Sequence, residues 1–233
     1  MDGRFERTAS LIGEEGMRRL AVSRVAVFGL GGVGGHAAEA LARCGVGRIA
    51  LVDYDTVSLS NINRQIIADG ETVGRLKTEV MRERIARIAP DCMTEVFSVF
   101  ADGGNITDII TRDTSYVIDA VDTVKSKVAV ISCASELGVP VISSMGTGNK
   151  LYPERFRITD ISKTHTCPLA RAVRSALKKS GVSSLDVLWS DEPPRTPPTA
   201  PGERPVPSSV SFVPSVAGLM IAGYVIRKLA GID

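Results

Sequence analysis

A chain of 233 residues, 44% hydrophobic and 23% charged, has an ordinary soluble composition and is long enough to bury the core of one large α/β domain. A formal net charge of +2 excludes a globally basic nucleic-acid binder, so any RNA contact has to come from local clusters of Lys and Arg. Cys44, Cys92, Cys133 and Cys167 form no C-x-x-C pair, which argues against a disulfide framework or a zinc site and for a reducing cytoplasm.

In chain order, Arg4 to Leu20 sets Phe5, Leu11, Ile12, Met17 and Leu20 among charges, which predicts one or two short helices over the first strand. No apolar run of signal-peptide type appears among these residues. Arg4 and Arg7 lie one helical turn apart, either as solvated charges or as groups that reach a phosphate, here or in a partner subunit.

Val25 to Phe28 reads as a buried parallel strand, and GLGGVG over 29–34 fits G-x-G-x-x-G at a strand-to-helix turn, with a helix from near Gly32. Gly29, Gly31, Gly32 and Gly34 would let backbone approach a phosphate, where a helix N-terminus offers free N–H groups and a positive dipole end. A second strand, Ile49 to Val52, delivers Asp53 to its carboxyl end, a place where a carboxylate accepts hydrogen bonds from both ribose hydroxyls. NAD, FAD and some ATP enzymes all use this unit.

The loop from Asp55 to Gln65 overhangs the same place, and Asn61, Arg64 and Gln65 suit phosphate and ribose contacts; the guanidinium of Arg64 can clamp a polyphosphate in a fixed fork. A helix opens at Val73 to Lys77, runs to about Ala89 on a stripe of Val80, Met81, Ile85 and Ile88, and stops at Pro90. Lys77 in its first turn opposes the helix dipole, which an anionic ligand would explain and plain surface exposure would too. A strand at Met93 to Val99, a short helix at Asn105 to Ile110 and a strand at Tyr116 to Ile118 follow. Asp119 and Asp122 then stand at the carboxyl end of a central strand; Asp122 is the better candidate for Mg²⁺, while Asp119 can instead cap the turn or the helix near Lys125.

The set GLGGVG, DYDTVSLSNINRQ, VGRLK and DAVD, in this order and spacing, resembles the ThiF/MoeB/HesA adenylating family, relatives of the ubiquitin-activating enzymes, from about Arg4 to Pro153. The resemblance implies that Asp53 holds the ATP ribose, that Asn61, Arg64 and Lys77 contact the phosphates and support transfer, and that Asp122 binds Mg²⁺. With the four glycines, Asp55, Gln65 and Asp119 complete the candidate nucleotide site. RFER over 4–7 resembles the family's R-[FY]-x-R, which implies a homodimer in which Arg7 reaches the γ-phosphate held by the partner. In such a site a carboxylate attacks the α-phosphorus of ATP and pyrophosphate leaves, while Mg²⁺, Arg64 and Lys77 offset the developing charge.

Further on, Val139 to Ser143 reads as a strand and Ser144 to Lys150 as a glycine-rich loop. A helix with Pro168 in its first turn puts Arg171, Arg174 and Lys178 on one face, after Lys163; such a face tracks a phosphate backbone or is merely solvated. ITDISKTHTCPLARAVRSALKK and SVSFVPSVAGLMIAGYVIR resemble the matching segments of that family's tRNA threonylcarbamoyladenosine dehydratase subgroup, which extends the likeness to nearly the whole chain. The likeness implies a tRNA substrate whose threonylcarbamoyl carboxylate is activated by ATP and closed by its own carbamoyl nitrogen, with no protein nucleophile. Cys167 departs from the acidic residue expected at its place.

Asp191 to Ser209 holds seven of the twelve prolines, which predicts a mobile, partly polyproline loop. Val210 to Ile226 is uncharged but short for a span and interrupted by Pro214, Gly218 and Gly223, so a buried core helix from near Pro214 is expected rather than membrane insertion. His36 follows the glycine turn and is expected to pack against strands or face solvent, and His165 could meet RNA. Two rivals stand beside the dehydratase reading. A sulfur-carrier adenylyltransferase would need a small Gly-Gly-tailed partner and sulfur-relay proteins; a nicotinamide oxidoreductase leaves Asn61, Arg64 and Lys77 without a role. The expected architecture is a Rossmann-like, doubly wound, mostly parallel α/β sheet with helices on both faces. Residues 1–153 form the adenylation domain with an N-terminal helical arm, and 154–233 a tRNA-facing extension packed with it as one domain.

Overall fold

Strand β1 (Arg24–Phe28) is buried along its whole length, as a strand covered on both faces must be. Val25 and Val27 join one apolar cluster, and Ala26 and Phe28 join another on the opposite face, following the period of two along a strand. Around it a computed structural model, which describes residues 3–195 and 207–232, assembles a seven-stranded sheet. The remaining strands are β2 (Arg48–Val52), β3 (Met93–Phe97), β4 (Tyr116–Asp119), β5 (Val141–Ser144), β6 (Phe156–Asp160) and β7 (Asp186–Ser190). Their order is β3-β2-β1-β4-β5-β7-β6, all neighbours parallel except the β6–β7 pair. The sheet is therefore Rossmann-like and doubly wound. Chain direction across the sheet reverses between β1 and β4, which opens a crevice at the carboxyl ends of those strands.

The first face is covered by α1 (Glu6–Val22), α2 (Gly34–Arg43), α3 (Lys77–Ile88) and α7 (Phe212–Ala230). On the other lie α4 (Ile106–Ile109) and α5 (Val124–Glu136), and α6 (Pro168–Leu177) packs with α5 and β7 around Ile131, Val173, Leu177 and Trp189. The expected one or two N-terminal helices appear as one element broken at Gly13, whose φ of +79° lies outside the helical region. α7 begins two residues before Pro214, which sits in its first turn where a missing N–H costs nothing. By length and apolarity α7 could cross a membrane, but Val213, Ala217, Ile221, Ala222 and Val225 lie in the main core. Most of the proline-rich run lies outside the described residues.

Two strands were not expected. Phe156–Asp160 and Asp186–Ser190 form an antiparallel edge, with Ile158 opposite Leu188, and join the C-terminal extension to the same sheet through β5. Boundaries also moved: α2 starts at Gly34 rather than near Gly32, and α3 at Lys77 rather than Val73. The residues before α3 are instead tied back to the preceding loop, Val57 N to Arg75 O at 2.8 Å and Gly74 N to Val57 O at 2.8 Å.

The third motif glycine works through packing. A Cβ on Gly34 would collide with the carbonyl oxygen of Gly29, a backbone atom that cannot swing away. Gly34→Ala is expected to destabilise the fold by about 3 kcal/mol, measured by urea denaturation, because overpacking against backbone has no cheap relaxation.

Candidate active site

The crevice is a cleft of about 670 Å³ at the carboxyl ends of β1, β2, β4 and β5. Gly29, Gly31 and Gly32 form part of its wall, and Gly29 takes a φ of +85° because the turn passes against Ala120. At the tip of β2 stands Asp53, 8% exposed, whose Oδ2 accepts from Leu30 N at 2.7 Å and whose Oδ1 accepts from Asp55 N at 2.9 Å. Those bonds fix the carboxylate at the edge of the glycine turn. Burial pushes its pKa up; the nearby Lys77 ammonium and the two backbone donors act in the opposite direction.

Lys77 is buried, its Nζ 2.7 Å from Asp55 Oδ2 and 3.9 Å from Asp53 Oδ2. The Val57–Gly74 backbone pairing described above delivers it there, and Lys77 N itself donates to Asp55 O at 3.1 Å. Two carboxylates hold this ammonium on the cleft wall and offset its charge. This explains why a lysine occupies the first position of α3 against the helix dipole.

Asn61 and Arg64 come from a tight turn around the 3₁₀ segment Leu59–Asn61, closed by Ser58 N donating to Asn61 Oδ1 at 3.1 Å. Arg64 is half-buried on the cleft, and its Nη1 donates to Ser60 O and Asn63 Oδ1, both at 2.8 Å. No carboxylate pairs with it among the described residues. Asn63 is held in turn by Ser209 O, 3.0 Å from its Nδ2. Gln65 is buried beside them with its Oε1 unpartnered among the described residues, and so is Ser126 Oγ on the opposite wall. Buried polar atoms without partners on a cleft wall are what a polar ligand would satisfy.

The two aspartates after β4 separate. Asp122 is exposed on the cleft and has no hydrogen-bond or ion-pair partner among the described residues. Asp119 is fully buried and does not line the cleft: its Oδ2 accepts from Lys127 Nζ at 3.1 Å and Ser143 Oγ at 2.5 Å, and its Oδ1 from Val121 N at 3.2 Å. Its oxygens are spent beneath the floor, so the expectation that it contacts the nucleotide is corrected. The same Lys127 donates to Ser144 O at 2.8 Å and so anchors the start of the glycine-rich loop.

Several cleft residues escaped the sequence. Val99, Phe100, Ala101 and Val121 give one end an apolar lining, and Tyr54 meets Phe100 edge-on with centroids 5.1 Å apart. A flat base fits such a wall. The outer wall is Gly146 to Lys150, Cys167 to Leu169 and Pro207 to Ser209, all from the second half of the chain. Asn149, at φ +60°, fastens this wall: its N donates to Ser208 O at 2.7 Å and its Oδ1 accepts from Ser208 N at 2.7 Å. Lys150 is buried with Nζ 2.5 Å from Glu192 O, and desolvation pulls its pKa down against the opposing pull of Cys167 and Glu192.

Of the basic residues, Lys163, Arg171 and Lys178 are exposed. Arg174 is half-buried, and its Nη1 donates to Ile161 O, Thr164 O and Thr164 Oγ1 at 3.2, 3.1 and 2.6 Å, which ties one end of the guanidinium to the preceding loop. Arg7 is exposed on α1 and lies outside the cleft of its own chain. His36 sits beside the glycine turn, Nδ1 2.8 Å from Gly32 O.

Comparison with known proteins agrees with this geometry. A model of the ThiF family matches residues 5–233. The tRNA threonylcarbamoyladenosine dehydratase of Bacillus subtilis is 43% identical over 238 residues, covering 97% of this chain and 94% of that one. The crystal structure of the Escherichia coli tRNA N6-threonylcarbamoyladenosine dehydratase in complex with ATP superposes with a TM-score of 0.90 at 35% identity, over 98% of this chain and 94% of that chain. The same E. coli enzyme in complex with AMP gives a TM-score of 0.92.

Proposed function

Because the chain belongs to the ThiF family, we propose that it is an ATP-dependent dehydratase that adenylates the carboxylate of threonylcarbamoyladenosine in tRNA and promotes its cyclisation. The carrying observation is one cleft with two walls: a nucleotide wall of glycine turn, Asp53, Arg64 and Lys77, and a facing wall from the C-terminal segments that leaves room for a second substrate.

ATP fits with its base against Val99, Phe100 and Ala101, its ribose hydroxyls donating to the free lone pairs of Asp53, and its phosphates toward Arg64, Lys77 and Asn61. Among the described residues no group of three or more His, Cys, Asp or Glu side chains could cage a metal. A lone exposed carboxylate still suits Mg²⁺, which takes one or two protein carboxylates and completes its shell with phosphate oxygens and water. Asp122 would hold it; when bound, Mg²⁺ supplies charge neutralisation on the phosphate oxygens.

The substrate carboxylate oxygen attacks the α-phosphorus and the bond to the β-phosphate oxygen breaks, releasing pyrophosphate. Arg64 and Lys77 stabilise the negative charge gathered on the phosphates in that step. The carbamoyl nitrogen then attacks the activated acyl carbon, loses its proton and expels AMP with one former carboxylate oxygen. Across both steps ATP becomes AMP and pyrophosphate, and the nucleoside loses the elements of water. The cleft's part is to hold two reactants in register and to keep bulk water from the adenylate.

Within this reading the protein works as a cytoplasmic homodimer. Leu11 and Val22 of α1, 87% and 81% exposed, supply apolar surface for a second copy, and Arg7 extends from the same helix toward that copy's phosphates. Lys163, Arg171 and Lys178 meet the tRNA backbone, and α7, committed to the core, does not enter a membrane. Incubating tRNA that carries threonylcarbamoyladenosine with the protein, ATP and Mg²⁺, then weighing the nucleosides, tests the assignment. The nucleoside is expected to lighten by one water as AMP appears; AMP without that loss would leave an adenylating enzyme with a different substrate.

A further inference from the structure

We infer that His165 is a stacking platform for an unpaired base of the tRNA, a contact that rests on the tRNA reading above. The loop that carries it is held under strain. Thr166, a β-branched residue, has a φ of +61°, a conformation such side chains rarely adopt unless their surroundings impose it. Cys167 N donates to His165 O at 2.6 Å and closes the turn on one side. On the other, Arg174 grips Thr164 and Ile161, and Thr164 Oγ1 donates to Ile161 O at 2.7 Å.

What this bracing presents is an exposed aromatic ring. The imidazole of His165 meets Trp189 at 75°, centroids 4.6 Å apart, and its Nδ1 lies 3.0 Å from Thr166 Oγ1. Trp189 is itself buried, so the ring is fixed from behind while staying open to solvent. A histidine whose task was packing would be covered; this one has already given up its rotamer freedom without being buried. Cys167 and Pro168, two and three residues later, line the cleft, so the loop that carries the ring borders it, with the exposed cations Lys163 and Arg171 before and after it in the chain. Unpaired RNA is recognised by this combination: bases splay out onto aromatic rings, histidine included, while adjacent cations take the phosphates.

The test uses the full chain and tRNA carrying threonylcarbamoyladenosine. His165→Ala is expected to raise the KM for tRNA about tenfold, and His165→Phe to hold it within about twofold of the parent, as sequence-tolerant base stacking on any ring requires. His165→Gln, polar but without a ring, should behave like alanine, and the KM for ATP should stay unchanged in all three. An unaltered tRNA KM in His165→Ala, or a phenylalanine variant no better than glutamine, overturns the proposal. If alanine at this place unsettles the loop, seen as a lowered Tm, the phenylalanine–glutamine pair still decides. A parent protein that never dehydrates the tRNA sinks the tRNA reading and this contact with it, an outcome distinct from a parent that works and variants that match it.

Discussion

Arg64→Ala is expected to lower the rate of AMP formation at saturating ATP and tRNA by about 10²–10³-fold, the usual cost of removing one preorganised donor from developing transition-state charge. The side chain is half-buried, held by Ser60 O and Asn63 Oδ1, and faces the cleft without a carboxylate partner among the described residues. Its charge is therefore unspent within the protein. Because no ion pair is broken, stability should stay within about 0.5 kcal/mol of the parent, as for most substitutions away from the core. Arg64→Lys separates charge from shape: an ammonium restores the charge but not the planar fork, so only part of the rate should return. Single-turnover AMP formation followed beside a urea titration makes both measurements. A near-normal rate in Arg64→Ala would contradict the phosphate role.

The sheet's first half was legible because its signals are local. A strand, a glycine turn, a helix and a second strand follow within 24–52, and each boundary is marked by a residue type with a physical reason to be there. The edge pair β6–β7 was not legible. Asp186–Ser190 is a five-residue run whose partners, β5 and β6, lie far back in the chain, and Phe156–Asp160 is an equally short run that pairs with it alone. Non-local pairing leaves little trace in a short window.

The site divides the same way. Gly29, Asp53, Asn61, Arg64, Gln65, Lys77 and Asp122 all line one cleft, since the motif fixes what stands at the ends of β1, β2 and β4. For Arg174, helical spacing says which face the residue is on, not that a preceding loop has bent back to accept protons from its Nη1. Phe100 and Asn149 carry no motif; one sits after a strand end, the other acts through a backbone and a side-chain bond to Ser208, 59 positions away. Lys127 carries no motif either, and only the fold shows that it points under the floor to Asp119.

Asp119 and Asp122 offer the sharpest contrast, because the same substitution should produce opposite effects three residues apart. Asp122→Ala is expected to reduce turnover by about 10³-fold or more, the several kcal/mol that a metal ion supplies to phosphoryl charge, while the urea midpoint stays where it was. Its side chain is exposed and bonded to nothing among the described residues, so the fold loses no contact. Asp122→Asn keeps a weak oxygen ligand, and its half-saturating Mg²⁺ concentration should rise. Asp119→Ala removes the carboxylate from a pair in which Lys127 is 0% exposed, stranding a buried ammonium beside Ser143. That should cost about 3–5 kcal/mol of stability, the penalty for breaking a buried pair from one side. Whatever protein remains folded should still turn over, because Asp119 touches no reactant. If Asp122→Ala proves active and Asp119→Ala is stable but inert, the carboxylate facing the phosphates has been misassigned, and the chemistry would have to be rebuilt around the buried pair.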